Sequence, residues 1–340
     1  MSENPQLTQL LDLANNYPSP HNGQPMQLRS REDGVLEAYF ATERGLTATP
    51  ISYLFSFVSI GVFIRHFERC AEALGHTLAV QLQLPKQEQM AGPGVLKCAE
   101  ITVQYATHEP DTKLQQVIIK RQTSRKKYTA GLTADEEEQV KSIANDHDIA
   151  AEFVNTKQAR QVIWLNQRAV FDDMFDPKVR AELDHWLRYS AQEKHMKKDG
   201  LAYDCMELSG AAMRFSVRHY KVLHWPVVAP LLQRYYLRTM QDDSSVGYFT
   251  SAFQTEEEAY RIGECIIDVW LMLTGHGQYL HPFGTVVSND RAHHDFAQLV
   301  GLHNENRDKN YVVFIFRAGA SAKPVESDRL PVTEHLYNQA

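Results

Sequence analysis

Two long apolar stretches of the chain carry the same glycine pattern, and together they narrow the folds open to it. In the first, Ser59-Ile60-Gly61 opens an apolar helical stretch and Gly75 follows it. In the second, Arg261-Ile262-Gly263 opens a similar stretch, and Gly277 stands as far beyond Gly263 as Gly75 does beyond Gly61. Residues 50–74 place Leu54, Phe55, Val58, Val62 and Phe67 on one side, the period of a helix, and Gly75 is a good C-terminal stop. Residues 255–274 read as a second long helix ending at Gly275 and Gly277. Each is followed by an apolar, strand-like segment, Leu78-Ala79-Val80 and Gly284-Thr285-Val286-Val287. Two long helices that end in glycine can look alike by chance; duplication of one unit is the expectation adopted here.

Around these helices, Val35–Phe40, Leu78–Leu84 and Cys98–Tyr105 alternate as strands do, with Ala91-Gly92-Pro93-Gly94 as a turn. Residues 111–120, 133–145, 157–170 and 178–192 read as helices. Residues 210–240 are apolar and aromatic, broken by Trp225-Pro226 and Pro230. Tyr311–Phe316 is a continuous apolar strand, and the last twenty or so residues look like a polar tail. Strands with helices segregated around them make the expected class α+β. With 340 residues, 43% hydrophobic and 23% charged, there is ample material for a core.

Composition excludes several functions. A net charge of −7 argues against a broad basic surface for nucleic acid. Cys70, Cys98, Cys205 and Cys265 are far apart and form no C-x-x-C, so they read as buried thiols of a reducing compartment. The start lacks a basic region followed by an apolar one, and the apolar run from Ile51 to Ile64 is broken by Ser52, Ser56, Ser59 and Gly61. The expectation is a cytoplasmic protein with no membrane and no nucleic-acid partner. There is no G-x-G-x-x-G and no Walker A motif. Fifteen histidines, densest at His293-His294 with His303, have no metal-ligand spacing, and no metal is expected.

Three segments carry candidate chemistry. Tyr17-Pro18-Ser19-Pro20-His21-Asn22-Gly23-Gln24-Pro25 holds a hydroxyl, an imidazole and two amides on a loop stiffened by three prolines. Such a loop suits a planar, polar ligand. Lys120-Arg121-Gln122-Thr123-Ser124-Arg125-Lys126-Lys127 follows an apolar helix end. Arg121 and Arg125 are four apart, so in a helical turn they share a face, with the Thr123 hydroxyl between them in sequence. Two guanidinium forks and a hydroxyl suit a phosphate monoester. The third is His281-Pro282-Phe283-Gly284, a turn after the second long helix.

The patterns P-S-x-x-N-x-Q-P and R-x-[ST]-x-R resemble those of the FMN-dependent nitroreductase superfamily, and over roughly residues 5–320 the chain resembles its fused, single-chain, Acg-like tandem members. Met26 stands where those members have a tryptophan after the loop, and Gln122 where they have an arginine. The resemblance implies a nitroreductase-like fold of two fused halves forming an intramolecular pseudo-dimer. It implies a first half of residues 1–110 that supplies the loop, a second half of 111–320 with a lid at 199–250, and a tail of 321–340. It implies that Arg121, Thr123 and Arg125 hold the FMN phosphate, with Arg317 of Phe316-Arg317-Ala318-Gly319 as the C-terminal base. Ser19, Asn22 and Gln24 would contact the flavin from the other half, and the backbone at Pro282, Phe283 and Gly284 would face flavin N5. No side chain need act as acid or base, because the isoalloxazine carries the hard step. Hydride would pass from NAD(P)H through the flavin to an electron-poor acceptor. The alternative is a flavin-sequestering protein whose lid prevents turnover. Only the first half keeps the P-S-x-x-N loop and only the second keeps R-x-[ST]-x-R, so one FMN per chain is expected, in a monomer or a homodimer. The second half's lost counterpart of the loop is expected near Glu193–Tyr203.

Overall fold

The computed structural model describes residues 4–46, 48, 51–240 and 243–335. Asn4 caps the first helix by accepting from the amides of Gln6 and Leu7, and Pro5 sits in the first turn, where its missing N–H costs nothing. That helix, α1 (Pro5–Ala14), buries Leu7, Leu10, Leu11 and Ala14. It is followed by β1 (Met26–Ser30), β2 (Leu36–Ala41), α2 (Ser52–Ala73), β3 (Thr77–Leu82) and β4 (Val95–Gln104), which make an antiparallel sheet in the order β1-β2-β4-β3. Then come α3 (Thr112–Lys120), β5 (Tyr128–Ala130), α4 (Ala134–Asp146) and β6 (Ala150–Phe153). A long insertion carries α5 (Thr156–Asp173), α6 (Pro177–Trp186), β7 (Leu187–Arg188), α7 (Ala191–Lys197), β8 (Leu201–Ala202), α8 (Gly210–Arg218) and α9 (Val228–Met240). The chain ends through β9 (Ser245–Ser251), α10 (Glu256–Gly275), β10 (Tyr279–Pro282), α11 (Gly284–Ser288), α12 (Asp290–Leu299) and β11 (Tyr311–Ser321). The second sheet runs β10-β11-β9-β6, with β5 also paired to β11. The class is α+β.

The two sheets match strand for strand. Each places its long helix between the second and third strands, so β1, β2, β3 and β4 answer to β6, β9, β10 and β11. Both helices end in the same cap. Gly75 and Gly277 each have φ +78°, His76 N donates to Ala71 O at 2.8 Å, and Gln278 N donates to Leu273 O at 2.9 Å. The β-bulges match too. Between β2 and β4 the register skips Cys98, and between β9 and β11 it skips Val313. α2 and α10 cross at their paired glycines. A Cβ on Gly61 would lie 1.9 Å from Tyr260 O, and one on Gly263 would lie 2.1 Å from Val58 O. Each glycine thus meets the carbonyl three residues before the other, the relation expected of a two-fold axis through the crossing. Fully buried Phe57, Ile60, Ile64 and Phe67 of α2 and Ile262, Ile267 and Leu273 of α10 fill the core around it.

Several expectations need correction. Residues 284–287 are helix α11: the pairing of β10 with β11 ends at Pro282–Phe316, and Phe283 stands at the helix N-cap. α6 stops at Trp186, where Leu187–Arg188 pair with Leu201–Ala202. The expected lid 199–250 runs too far: Ser245–Ser251 is a strand in the middle of the second sheet. Residues 322–335 are a strap across the first half and bury Leu330. The lost counterpart of the loop lies elsewhere than Glu193–Tyr203: α1 and β1 correspond to α4 and β6, so its place is residues 147–149. Pro50 of the expected first long helix, Gln241 and Asp242 of the lid, residues 336–340 of the tail and Met1–Glu3 lie outside the described residues. Among the described residues no helix is long and apolar enough to cross a membrane.

Candidate functional site

The loop 17–25 is held in an unusual conformation. His21, Asn22 and Gln24 have φ of 51°, 53° and 52°, a left-handed region that non-glycine residues seldom occupy. What holds them is a dense set of bonds. Tyr17, fully buried, accepts from Met26 N through its hydroxyl at 3.1 Å, and Ser19 Oγ accepts from Gln24 N at 3.0 Å. Two segments distant in sequence clasp the loop. From the insertion, Gly200 N donates to Asn22 O, and Lys198 O accepts from Gln24 Nε2 at 2.9 Å. From the strap, Asp328 O accepts from Asn22 Nδ2 at 3.1 Å, Leu330 N donates to Gln24 Oε1 at 3.0 Å, and Arg329 Nη1 donates to Asn22 Oδ1. The amides of Asn22 and Gln24 therefore bind protein on both sides of the loop.

The segment 121–125 leaves the helix at once. Arg121 caps α3 with an extended backbone (φ −60°, ψ 116°), so Arg121 and Arg125 do not share a helical face as expected. Thr123 instead bridges Leu280 in parallel, which lays the segment along β10. The two arginines reach different surroundings. Arg121, 2% exposed, donates to Asn16 O at 2.8 Å and lies over the Trp270 ring at 4.9 Å. Its Nε is buried with no partner among the described residues. Burial, with the charge of half-buried Arg329 added, pushes Arg121 down to about 9. Burial lowers Arg329 as well. A buried guanidinium with an unpartnered Nε, on which a second guanidinium charge acts, is a group that an anion would stabilise.

The second cationic group gathers around β10 and β11, where His281 pairs with Arg317 across the sheet. Arg317 is fully buried, lies over the Tyr128 ring at 4.6 Å, donates through Nη2 to Lys126 O at 3.0 Å, and donates through Nε to His281 Nδ1 at 3.2 Å. Burial and the charges of Arg317 and Arg125 hold His281 well below the usual imidazole range. A neutral ring that accepts at Nδ1 carries its proton on Nε2. Arg125, half-buried, donates to Cys205 O at 3.4 Å. Its charge also reaches His21 across the interface, and burial followed by that charge pushes His21 down to about 4. Phe283 N donates to Ile315 O at 2.8 Å, so its amide is engaged; Gly284 opens on free space.

Asn16, just before the loop, accepts from Arg121, and the charge of Arg125 reaches His21, so the start of the loop lies beside the 121–125 segment. His21 and His281 lie in segments the sequence singles out, but without a role of their own there, and Arg329 lies in none of them. Arg329 stands alone among polar residues of the tail, and nothing in the sequence announces its neighbours. A separate cleft of about 500 Å³ lies between α2, α3, α4 and α10. There Asp268 accepts from Arg65, Arg69 and His147, so its charges are paired internally, and none of the expected site residues lines it. No protein-family model matches the chain, and no curated protein matches it.

Proposed function

We propose that the chain binds FMN between two fused nitroreductase-like halves that form an intramolecular pseudo-dimer, and that it is an oxidoreductase of the nitroreductase type. The observation that carries this reading is the buried guanidinium of Arg121 with its Nε unpartnered, bonded to Asn16 beside the loop and within reach of the charge of half-buried Arg329, which the loop's Asn22 holds. A phosphate monoester offers a double charge and three acceptor oxygens, and so fits a buried fork whose Nε is unpartnered. When bound, FMN would supply the acceptance of hydride from NAD(P)H and its delivery to an electron-poor acceptor. Arg121 and Arg329 are assigned to the phosphate. Thr123, Arg125 and Arg317, with His281, are assigned to the wall beside it. Asn22 and Gln24 fix the strap that carries Arg329, and Ser19 closes the loop. Of Pro282, Phe283 and Gly284, the Gly284 amide is the donor left for N5.

Purified protein should be yellow, release FMN on denaturation and bind one FMN per chain in a titration. Colourless protein that cannot be reconstituted would end this reading, and two flavins per chain would end the single-site part of it. The second reading, sequestration without turnover, is favoured by the clasp of the insertion and the strap on the loop. Anaerobic mixing with NADH and NADPH separates the two: rapid bleaching supports the enzyme, and no bleaching supports storage.

A further inference from the structure

Between Gly210 and Met240 the sequence holds Arg214, Arg218, Lys221, Arg234 and Arg238 and not one Asp or Glu, in a chain whose net charge is −7. The fold turns this segment outward. α9 packs on α5, which packs in turn on α11, α12 and β9, so the segment rides on the outer helical layer of the second half. α8 buries Met213 and Val217 and exposes Arg214, Phe215 and Arg218, whose spacing of three and four places them on one face. α9 exposes Leu231, Arg234 and Tyr235 with the same spacing. In the connection between them, Trp225 is 57% and Val227 74% exposed; Leu231 and Tyr235 are 63% and 62% exposed. These are large apolar side chains left in water beside cations.

A face of this composition matches the boundary zone of an anionic bilayer. There aromatic and aliphatic tips enter the headgroup region while guanidinium and ammonium groups stay with the negative headgroups. We propose that the exposed side chains between Arg214 and Tyr235 form a peripheral docking face for an anionic lipid surface. The segment lies on the surface and does not span it, since no described helix is long and apolar enough to cross. Nucleic acid could stack on Phe215, Trp225 and Tyr235 but would leave Val227 and Leu231, the more exposed apolar side chains of the face, in water, whereas a bilayer takes both kinds. Arg214 is tied to Glu193 at 3.2 Å, so Arg218 and Lys221 are the better probes of charge.

The full-length protein is floated with vesicles of phosphatidylcholine, with and without phosphatidylserine. Binding is expected only with phosphatidylserine, falling as salt rises, with a blue shift of tryptophan emission that Trp225→Phe removes. Trp186 and Trp270 are buried and Trp164 is half-buried, which leaves Trp225 as the most exposed reporter. Arg218→Glu with Lys221→Glu should lower the bound fraction on the order of tenfold or more. Trp225→Ser with Leu231→Ser should lower it independently of charge. All four side chains are exposed, so the melting temperature should hold and report that the variants fold. No flotation at low salt, or equal flotation of wild type and both double variants, would overturn the proposal. So would Trp225-dependent self-association, or binding of an RNA oligonucleotide, in the absence of vesicle binding. The assay reads no flavin, so its result stands apart from the FMN reading.

Discussion

The first half joins α1 to β1 through residues 15–25, while the second joins α4 to β6 through residues 147–149. The second half pairs His281 with Arg317 across β10 and β11, both buried. At the matching cross-strand position the first half pairs Ala79 with Thr102, both exposed. One half keeps the loop and the other keeps the cations, although strand order, bulge and helix cap agree in both. The frame rests on the α2–α10 crossing and the buried core, where every residue has many neighbours and change is costly. A ligand site rests on a few polar side chains. When no ligand is held there, their loss costs the frame little. The two sheets can therefore agree in architecture and differ in the polar residues they carry.

The comparison breaks most sharply at the crossing. Gly61→Ala and Gly263→Ala each push a methyl against a main-chain carbonyl that no side-chain rotation can move. Each should cost about 3 kcal/mol or more, the upper end of overpacking, measured by urea unfolding. Similar costs at the two positions would support the two-fold relation; a mild effect at one would break it. Next come the proposed phosphate ligands. Arg121→Ala and Arg329→Ala should each weaken FMN by about 1.5–3 kcal/mol, the usual worth of a hydrogen bond to a charged group, and leave riboflavin unchanged in a fluorescence titration. Arg317→Ala should lower the melting temperature as well, because that guanidinium ties Tyr128, Lys126 and His281 together. If Arg329→Ala binds FMN as wild type does, the phosphate lies elsewhere.

The caps test a smaller difference. Gly277→Ala meets open space and should cost only the left-handed backbone, about 1–2 kcal/mol. Gly75→Ala carries the same backbone cost and also drives a methyl to 2.4 Å from His108 O, so it should be the more damaging in thermal unfolding. The smallest effect concerns pH. The unfolded chain protonates His21 as pH falls through about 6.5, whereas the folded chain waits until about 4, because burial and Arg125 oppose the charge. The unfolded state then holds more protons in that window, so stability falls as pH drops from about 6.5 to about 4 and is indifferent above it. Solvent screening of a half-buried ring keeps the effect modest. His21→Gln should flatten that part of the melting-temperature profile, and an unchanged profile would remove His21 from the account.

Much of the frame was legible because it is written locally. Helical periodicity, a glycine stop and the paired spacing of Gly61–Gly75 and Gly263–Gly277 are properties of neighbouring residues, and a duplicated frame follows from reading them together. The motifs of the site were visible for the same reason: Ser19, Asn22 and Gln24 lie in one short run, as do Arg121, Thr123 and Arg125. What those side chains touch was not visible. Residues 121–125 were read as a helical turn, but the bridge from Thr123 to Leu280 holds them extended and sends Arg121 and Arg125 apart. The charge of Arg329 reaches Arg121 because the strap crosses the first half and is held by Asn22 and Gln24, and such long-range proximity depends on the packing of the whole chain. By itself the sequence determined the elements, their repetition and the residue types available for an anion. Only the tertiary structure decided which cations meet, because burial and proximity set their charge environment, and neither is a property of sequence neighbours.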